Sequence, residues 1–186
     1  MKIIPLLRKE KAIIRQAASG SRSAQRQLYE QHAPTMLAVC RRYVRDLHHA
    51  EDVMIEGFAT VFRQLGAYRS EGSFEGWVRR IMVRKAIDFL RRRQFLVPEE
   101  SLPEQPGTDG NPSDFLELQA IREAIGELPE GYRLVFNLYV VEGYRHPEIA
   151  ALLDISESTS KSQLFKARKM LQEQLKEQQI PRYGTH

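Results

Sequence analysis

The sequence predicts an all-α protein made of two small helical domains joined by a flexible acidic linker. Three observations carry that expectation. Apolar residues recur at steps of mostly three, four and seven along most of the chain, and no stretch of any length alternates apolar and polar residues as a half-buried strand does. The stretch FLVPEESLPEQPGTDGNPSDF, from Phe95 to Phe115, holds four prolines, two glycines and five acids and no Lys or Arg. Pro and Gly at that density exclude a regular element. Helical apolar patterns flank this stretch on both sides. The expected organisation is therefore a first domain over 1–94, a linker over 95–115 and a second domain over 116–186.

In the first domain, SAQRQLYEQHAPTMLAVCRRYV places Leu28, Met36, Leu37, Cys40 and Val44 on one helical face, with Pro34 expected to start a new helix. HHAEDVMIEGFATVFRQLGAY follows, with Val53, Phe58, Val61, Phe62 and Leu65 inward. Its acids Glu51, Asp52 and Glu56 suit the positive end of the helix dipole, and Gly66 marks its end. RSEGS reads as a loop. SFEGWVRRIMVRKAIDFLRRR is the third strong helix, with Trp77, Ile81, Ile87 and Leu90 expected on its inner side. The second domain opens with DFLELQAIREAIGELP, whose apolar set is Leu116, Ile121, Ile125 and Leu128. Pro129 begins the next helix, EGYRLVFNLYVVEGY.

Composition narrows the function. The chain has 186 residues, 28% of them charged and 42% hydrophobic, and no apolar run approaches the roughly 18 residues a membrane-spanning helix needs. MKIIPLLRKEKAIIRQ is too short in apolar residues for a signal peptide, so a cytoplasmic location is expected. The formal net charge of +4 suggests an anionic partner if the cations gather in patches. The single cysteine, Cys40, can form no internal disulfide, and the five histidines show no metal-ligand spacing. No G-x-x-x-x-G-K, HExxH or nucleophile elbow occurs, so neither catalysis, a metal nor a cofactor is expected.

Two cationic elements stand out. PEIAALLDISESTSKSQLFKARKML, from Pro147 to Leu171, reads as helix, turn, helix. Ile149, Leu152, Leu153, Ile155 and Leu164 supply its inner faces, Ala150 allows the close crossing, DIS is the turn and Ser156 an N-cap. If Leu164, Ala167 and Leu171 point in, then Ser158, Lys161, Ser162, Phe165, Lys166 and Lys169 point out. An exposed Phe among cations suits a DNA-reading helix. The ring can touch a thymine methyl, Lys161 can reach guanine acceptors, and Ser162 can bond a base or a phosphate. The second element carries Arg79, Arg80, Arg84, Lys85, Arg91, Arg92 and Arg93 against one acid, Asp88, which points to polyanion contact. Trp77 serves there either as a stacking platform for an unpaired base or as a core residue, and AYRSEGSF beside it is a polar loop able to cradle a flipped base. About twenty linker residues extend to roughly 66 Å, against about 70 Å for two turns of B-DNA.

These motifs, in this order and separation, resemble the extracytoplasmic-function sigma factors, the minimal members of the bacterial sigma-70 family. AEDVMIEGF, FEGWVRRI and AIDFLRRR are similar to region 2, and LPEGYRLVFNLYVVEGYRHPEIAALLDISESTSKSQLFKARKML to region 4. The ESTSKSQL stretch is reminiscent of members from the Bacteroidetes. The resemblance implies a protein that binds core RNA polymerase, recognises −10 and −35 promoter elements and promotes melting. It implies that the helix bearing Asp52, Ile55, Glu56 and Phe62 docks on the β′ clamp helices. It also implies that Tyr68, Arg69, Ser73, Trp77, Arg80, Arg84, Lys85, Arg91 and Arg92 serve the −10 element. Ser158, Lys161, Ser162, Phe165, Lys166 and Lys169 fall to the −35 element. The linker would thread toward the polymerase active centre, the inner apolar side of YRLVFNLYVV would partly serve the β flap, and a cognate anti-sigma factor is implied. Family members commonly have Gln at Ile55, Asn at Arg84 and Val at Ser160. The −10 base preference therefore does not carry over, while Ser160 faces the core with no functional consequence expected. A stand-alone helix-turn-helix regulator would explain the second domain but neither the Trp77 helix nor the acidic linker.

Overall fold

The computed structural model describes the backbone over residues 3–94 and 112–178, and side-chain surroundings over 9–93 and 120–175. All regular structure among these residues is helical: α1 (Ile3–Ala18), α2 (Arg22–Tyr43), α3 (Leu47–Gln64), α4 (Phe74–Gln94), α5 (Pro112–Glu127), α6 (Glu130–Phe136), α7 (His146–Leu153) and α8 (Glu157–Gln178). A 3₁₀ turn, Leu65–Ala67, follows α3, and a π-helical turn, Asn137–Val141, follows α6. The chain divides into two compact units, Met1–Ser101 and Leu102–His186. Residues 95–111 of the expected acidic linker lie outside the described residues, and α5 begins within its last stretch, at Pro112.

The first unit packs α4 against both α2 and α3, with α1 laid on α2. Its core is Leu28, Met36, Val39, Cys40 and Tyr43 from α2, Val53, Met54, Phe58 and Val61 from α3, and Phe74, Val78, Met82, Val83, Ala86 and Ile87 from α4. Three helix starts in this unit are capped by side chains. Ala24 N–H donates to the Ser21 hydroxyl at 3.4 Å, His49 N–H to the Asp46 carboxylate at 2.9 Å, and Gly76 N–H to the Ser73 hydroxyl at 3.1 Å. Gly57 lies where α3 meets α4: a Cβ there would run into the Met82 thioether, so the two backbones approach closely only because that side chain is missing.

Two expectations are corrected here. α2 runs unbroken through Pro34. Its fixed φ is helical, and the loss is one hydrogen bond to the Glu30 carbonyl rather than the helix itself. On α4 the buried stripe is displaced by one residue, to Phe74, Val78, Met82, Ala86 and Ile87, leaving Trp77, Ile81 and Leu90 only half-buried. Because α4 packs on two sides, its apolar residues run nearly all the way round, and spacing alone cannot select the inner stripe.

The second unit packs α8 on α5, α6 and α7. Ala124 and Leu128 of α5 meet Ala167 and Leu171 of α8, with Ile125, Tyr132, Phe136 and Met170 against them. Ile149 and Leu164 are buried at the α7–α8 crossing. Of the apolar set of α5, Ile121 is exposed, and Ala124 is buried instead. Asp154 turns the chain between α7 and α8 in the left-handed conformation, φ 55° and ψ 46°, its N–H donating to the Ala150 carbonyl. Asp is among the few non-Gly residues that tolerate this geometry. Ser156 then caps α8 by accepting from Thr159 N–H at 3.0 Å.

Candidate nucleic-acid interface

On α8 the helical period separates two faces cleanly. Ser160, Leu164, Ala167 and Leu171 are buried, while Ser158, Lys161, Ser162, Phe165, Lys166 and Lys169 are all exposed, Phe165 at 71%. A ring so exposed has no packing role within the unit. The hydroxyls of Ser156, Ser158 and Thr159 form a cluster at the helix start, 2.7 to 2.8 Å apart, and Ser162 donates to the Thr159 carbonyl at 3.0 Å. Lys161 Nζ lies 2.6 Å from Glu157, one turn back. That contact holds the Glu157 carboxyl below the usual range, first through the hydrogen bond and then through charge. The pair is fully solvated, so phosphate or a base edge can replace Glu157 at little cost. Lys166 sits 5.9 Å from the Tyr132 ring centroid, and Lys169 3.9 Å from Glu173.

In the first unit the −10 candidates gather around an aromatic step. Phe74 is buried. Trp77, 5.9 Å from it, and Tyr68, 5.4 Å from it, are half-buried and 5.3 Å from each other. Trp77 thus packs against Phe74 and Tyr68 while part of its surface stays exposed. Tyr68 O–H donates to the Gly72 carbonyl at 2.8 Å, which closes the loop over 68–72, and Ser70 turns it with φ 57°. Burial raises the Tyr68 phenol above its ordinary pKa, with the Glu10 carboxylate acting in the same direction and a hydrogen bond with Ser70 opposing. Arg69 and Ser73 lie exposed on this loop, and Ser73 is occupied as the α4 cap. Along α4, Arg80, Arg84, Arg91 and Arg92 are exposed and Lys85 is half-buried.

The polymerase-facing candidates lie on α3. Asp52, Ile55 and Glu56 are exposed, Ile55 at 55%, whereas Phe62 is half-buried and stacks on Phe58 at 6.0 Å. Sequence reasoning missed two features here. Leu47, eight residues before Ile55, is a second exposed apolar residue on this helix. Glu56 reaches across to α4, 3.9 Å from Lys85 and 3.6 Å from Arg92, so one carboxylate touches two of the −10 candidates. In the second unit, the inner side of YRLVFNLYVV is closed off: Leu134, Val135 and Leu138 are buried in the core, and the apolar surface left open is Tyr139, Val140 and Val141 on the π-helical turn. That turn inserts an extra residue, which no apolar period reveals. Also missed was the partner of Ser160. Its hydroxyl is 2.9 Å from His146 Nδ1. A serine on a buried helical face was the available signal, since a buried hydroxyl requires a hydrogen bond.

Among the described residues, no group of three or more His, Cys, Asp or Glu could hold a metal ion, and no helix is long and apolar enough to cross a membrane.

Comparison with known proteins matches both units of the chain. The model for sigma-70 region 2 matches residues 28–95, and that for sigma-70, region 4 matches residues 118–171. The chain is 33% identical over 160 residues to the ECF RNA polymerase sigma factor SigE of Mycolicibacterium smegmatis, covering 80% of this chain and 60% of that relative. It is 28% identical to the RNA polymerase sigma factor CnrH of Cupriavidus metallidurans, covering 87% and 92%, and 27% identical to the ECF sigma factor SigW of Bacillus subtilis, covering 88% and 95%. Among solved structures, CnrH in complex with the cytosolic domain of CnrY superposes with a TM-score of 0.51 at 24% identity, over 90% of this chain and 97% of that one. The sigma factor RpoE of Bartonella quintana, in complex with the anti-sigma factor NepR, gives 0.54 at 22% identity, over 84% and 98%. At those identities the two structures speak for the fold alone. The chain belongs to the sigma-70 family, in its extracytoplasmic-function group. It is a promoter-recognising, DNA-binding initiation factor that directs RNA polymerase, and not an enzyme.

Proposed function

We propose a division of labour along the boundaries 1–94, 95–115 and 116–186. The outer face of α8, with Lys161, Ser162 and Phe165 on bases and Ser158, Lys166 and Lys169 on backbone, reads the −35 element in the major groove. The loop over 68–73 and α4, with Tyr68, Arg69, Ser73, Trp77, Arg80, Arg84, Lys85, Arg91 and Arg92, opens and holds the −10 element. Asp52, Ile55, Glu56 and Phe62 on α3 dock on the polymerase clamp, and Tyr139, Val140 and Val141 face the β flap. The observation that carries this reading is Phe165, open at 71% in the middle of an otherwise cationic face. The chain works in the cytoplasm and is held by an anti-sigma factor, as the neighbouring sigma factor RpoE of Bartonella quintana is by NepR. Placement with the Bacteroidetes members rests on ESTSKSQL alone.

Runoff transcription with purified core polymerase on a −35-dependent promoter tests the proposal. Initiation must depend on the chain. Lys161→Ala and Phe165→Ala should impair it while leaving core binding intact, and loss of core binding in either variant would mean the surfaces are misassigned. Lys166→Ala should weaken binding to all sequences alike and lower the salt slope by about one.

A further inference from the structure

We propose that Ser160 and His146 form a positioning pair that fixes the rotation of α8 about its axis, and so decides which bases its outer face reads, without touching DNA. This rests on the reading of α8 given above.

Ser160 is the fourth residue of α8 and has no exposed surface, on a face otherwise made of Leu164, Ala167 and Leu171. Apolar packing of this kind is non-directional and tolerates small rotations. A hydrogen bond is not so tolerant, since it weakens steeply with angle. The Ser160 hydroxyl meets His146 Nδ1 at 2.9 Å, fourteen residues earlier and at the first position of α7. His146 is itself held. Arg145 N–H donates to the Glu148 carboxylate at 2.7 Å, which fixes the start of α7, and the imidazole stacks on Tyr139 with centroids 4.7 Å apart and planes 27° apart. Tyr139 is presented by the π-helical turn, which Glu142 N–H closes by donating to the Asn137 carbonyl at 3.0 Å. The Arg168 guanidinium lies 5.7 Å from the same Tyr139 ring.

The contacts therefore leave α8 at Ser160, pass through His146 and Tyr139, and return to α8 at Arg168. The two anchor points are eight residues apart, and Lys161, Ser162, Phe165 and Lys166 all lie between them. A 15° rotation would move an atom at the helix surface, about 6 Å from the axis, by roughly 1.5 Å. That is enough to break a hydrogen bond to a base edge while leaving the helix over the same groove.

The test assembles the full chain with core RNA polymerase and selects duplexes from a library with ten randomised base pairs upstream of a fixed −10 region. Ser160→Ala and His146→Phe remove the same hydrogen bond from opposite ends, and Phe keeps the ring against Tyr139. Each should flatten the selected upstream preference by about tenfold per discriminated base pair, with the salt slope close to the parent, and His146→Phe, which leaves the buried Ser160 hydroxyl unpaired, should also lower the melting temperature. The double variant should be no worse than either single. The ¹⁵N signals of His146 should report one tautomer in the parent and a mixture in Ser160→Ala. Lys161→Ala and Phe165→Ala serve as the reference for the underlying reading: unchanged preferences in those two would overturn both it and the pair. Lost preference in those two but parental preference in Ser160→Ala and His146→Phe would overturn the pair alone, as would additive losses in the double variant.

Discussion

α4 and α8 are both long cationic helices, yet they are built in opposite ways. α4 is wedged between α2 and α3 by large buried side chains, Phe74, Met82 and Ile87, and its cations occupy the strip that remains, two of them within reach of Glu56 on a neighbouring helix. α8 is seated by small and medium residues, Ser160, Leu164 and Ala167, and offers a complete outer face on which the ion pairs Lys161–Glu157 and Lys169–Glu173 stay within its own turns. On α4, therefore, the groups that could meet DNA share a helix with the core, and substitutions there mix stability with binding. On α8 the two can be separated.

The largest effect should come from emptying the α4 side of this contrast. Phe74 is 2% exposed and touches His32, Tyr68 and Trp77. Phe74→Ala is expected to cost about 3–5 kcal/mol, read by calorimetry, and to disturb the aromatic step around Trp77. Next comes the α3–α4 approach. Gly57→Ala drives a methyl into buried Met82 and should cost about 1–3 kcal/mol; a neutral outcome in chemical denaturation would show that Met82 can give way.

Third is a pH effect confined to the first unit. His32 is buried between Phe74 and the α1 helix, its Nε2 without a hydrogen-bond partner and 4.0 Å from Glu10. Desolvation lowers its pKa below the ordinary 6.5, against the opposing pull of the Glu10 and Glu75 carboxylates. The neutral ring is thus the folded form. Its contribution is present above about pH 6.5 and lost as pH falls through the lowered folded value. His32→Leu should flatten the fall in melting temperature on mild acidification. The smallest effect on stability should be Phe165→Ala, within about 0.5 kcal/mol, although the same variant should lose the −35 preference. A large drop in its melting temperature would end the contrast between the two helices.

The sequence made the α8 half of this contrast legible and much of the α4 half illegible, for a physical reason. α8 has one wet side, so its period of 3.6 carries the information. Leu164, Ala167 and Leu171 face in and the six candidates face out, as their spacing requires. The Ser156 cap is equally local. α4 has two dry sides, and Trp77, Ile81 and Leu90 could not be told from Val78, Met82 and Ala86 by spacing. Pro34 was misleading because a proline removes one bond and crowds the carbonyl four residues back, a cost that packing on both sides of it can offset, so that α2 continues. The contacts of Glu56 with Lys85 and Arg92, and of Ser160 with His146, join residues on different helices. Only the folded arrangement brings them together.

Cys40 has so far figured as a small residue in the first core. Burial pushes its thiol up to about 12, so the nucleophilic thiolate is essentially absent at neutral pH. For spectroscopy this makes the native chain nearly blank to maleimides. A cysteine placed at exposed Gln27 or at exposed Arg122, neither of them among the proposed promoter-facing residues, can be dye-labelled without first removing Cys40. One reporter on each unit, added to an otherwise unaltered protein, would let the separation of the two promoter-facing surfaces be followed by energy transfer as initiation proceeds.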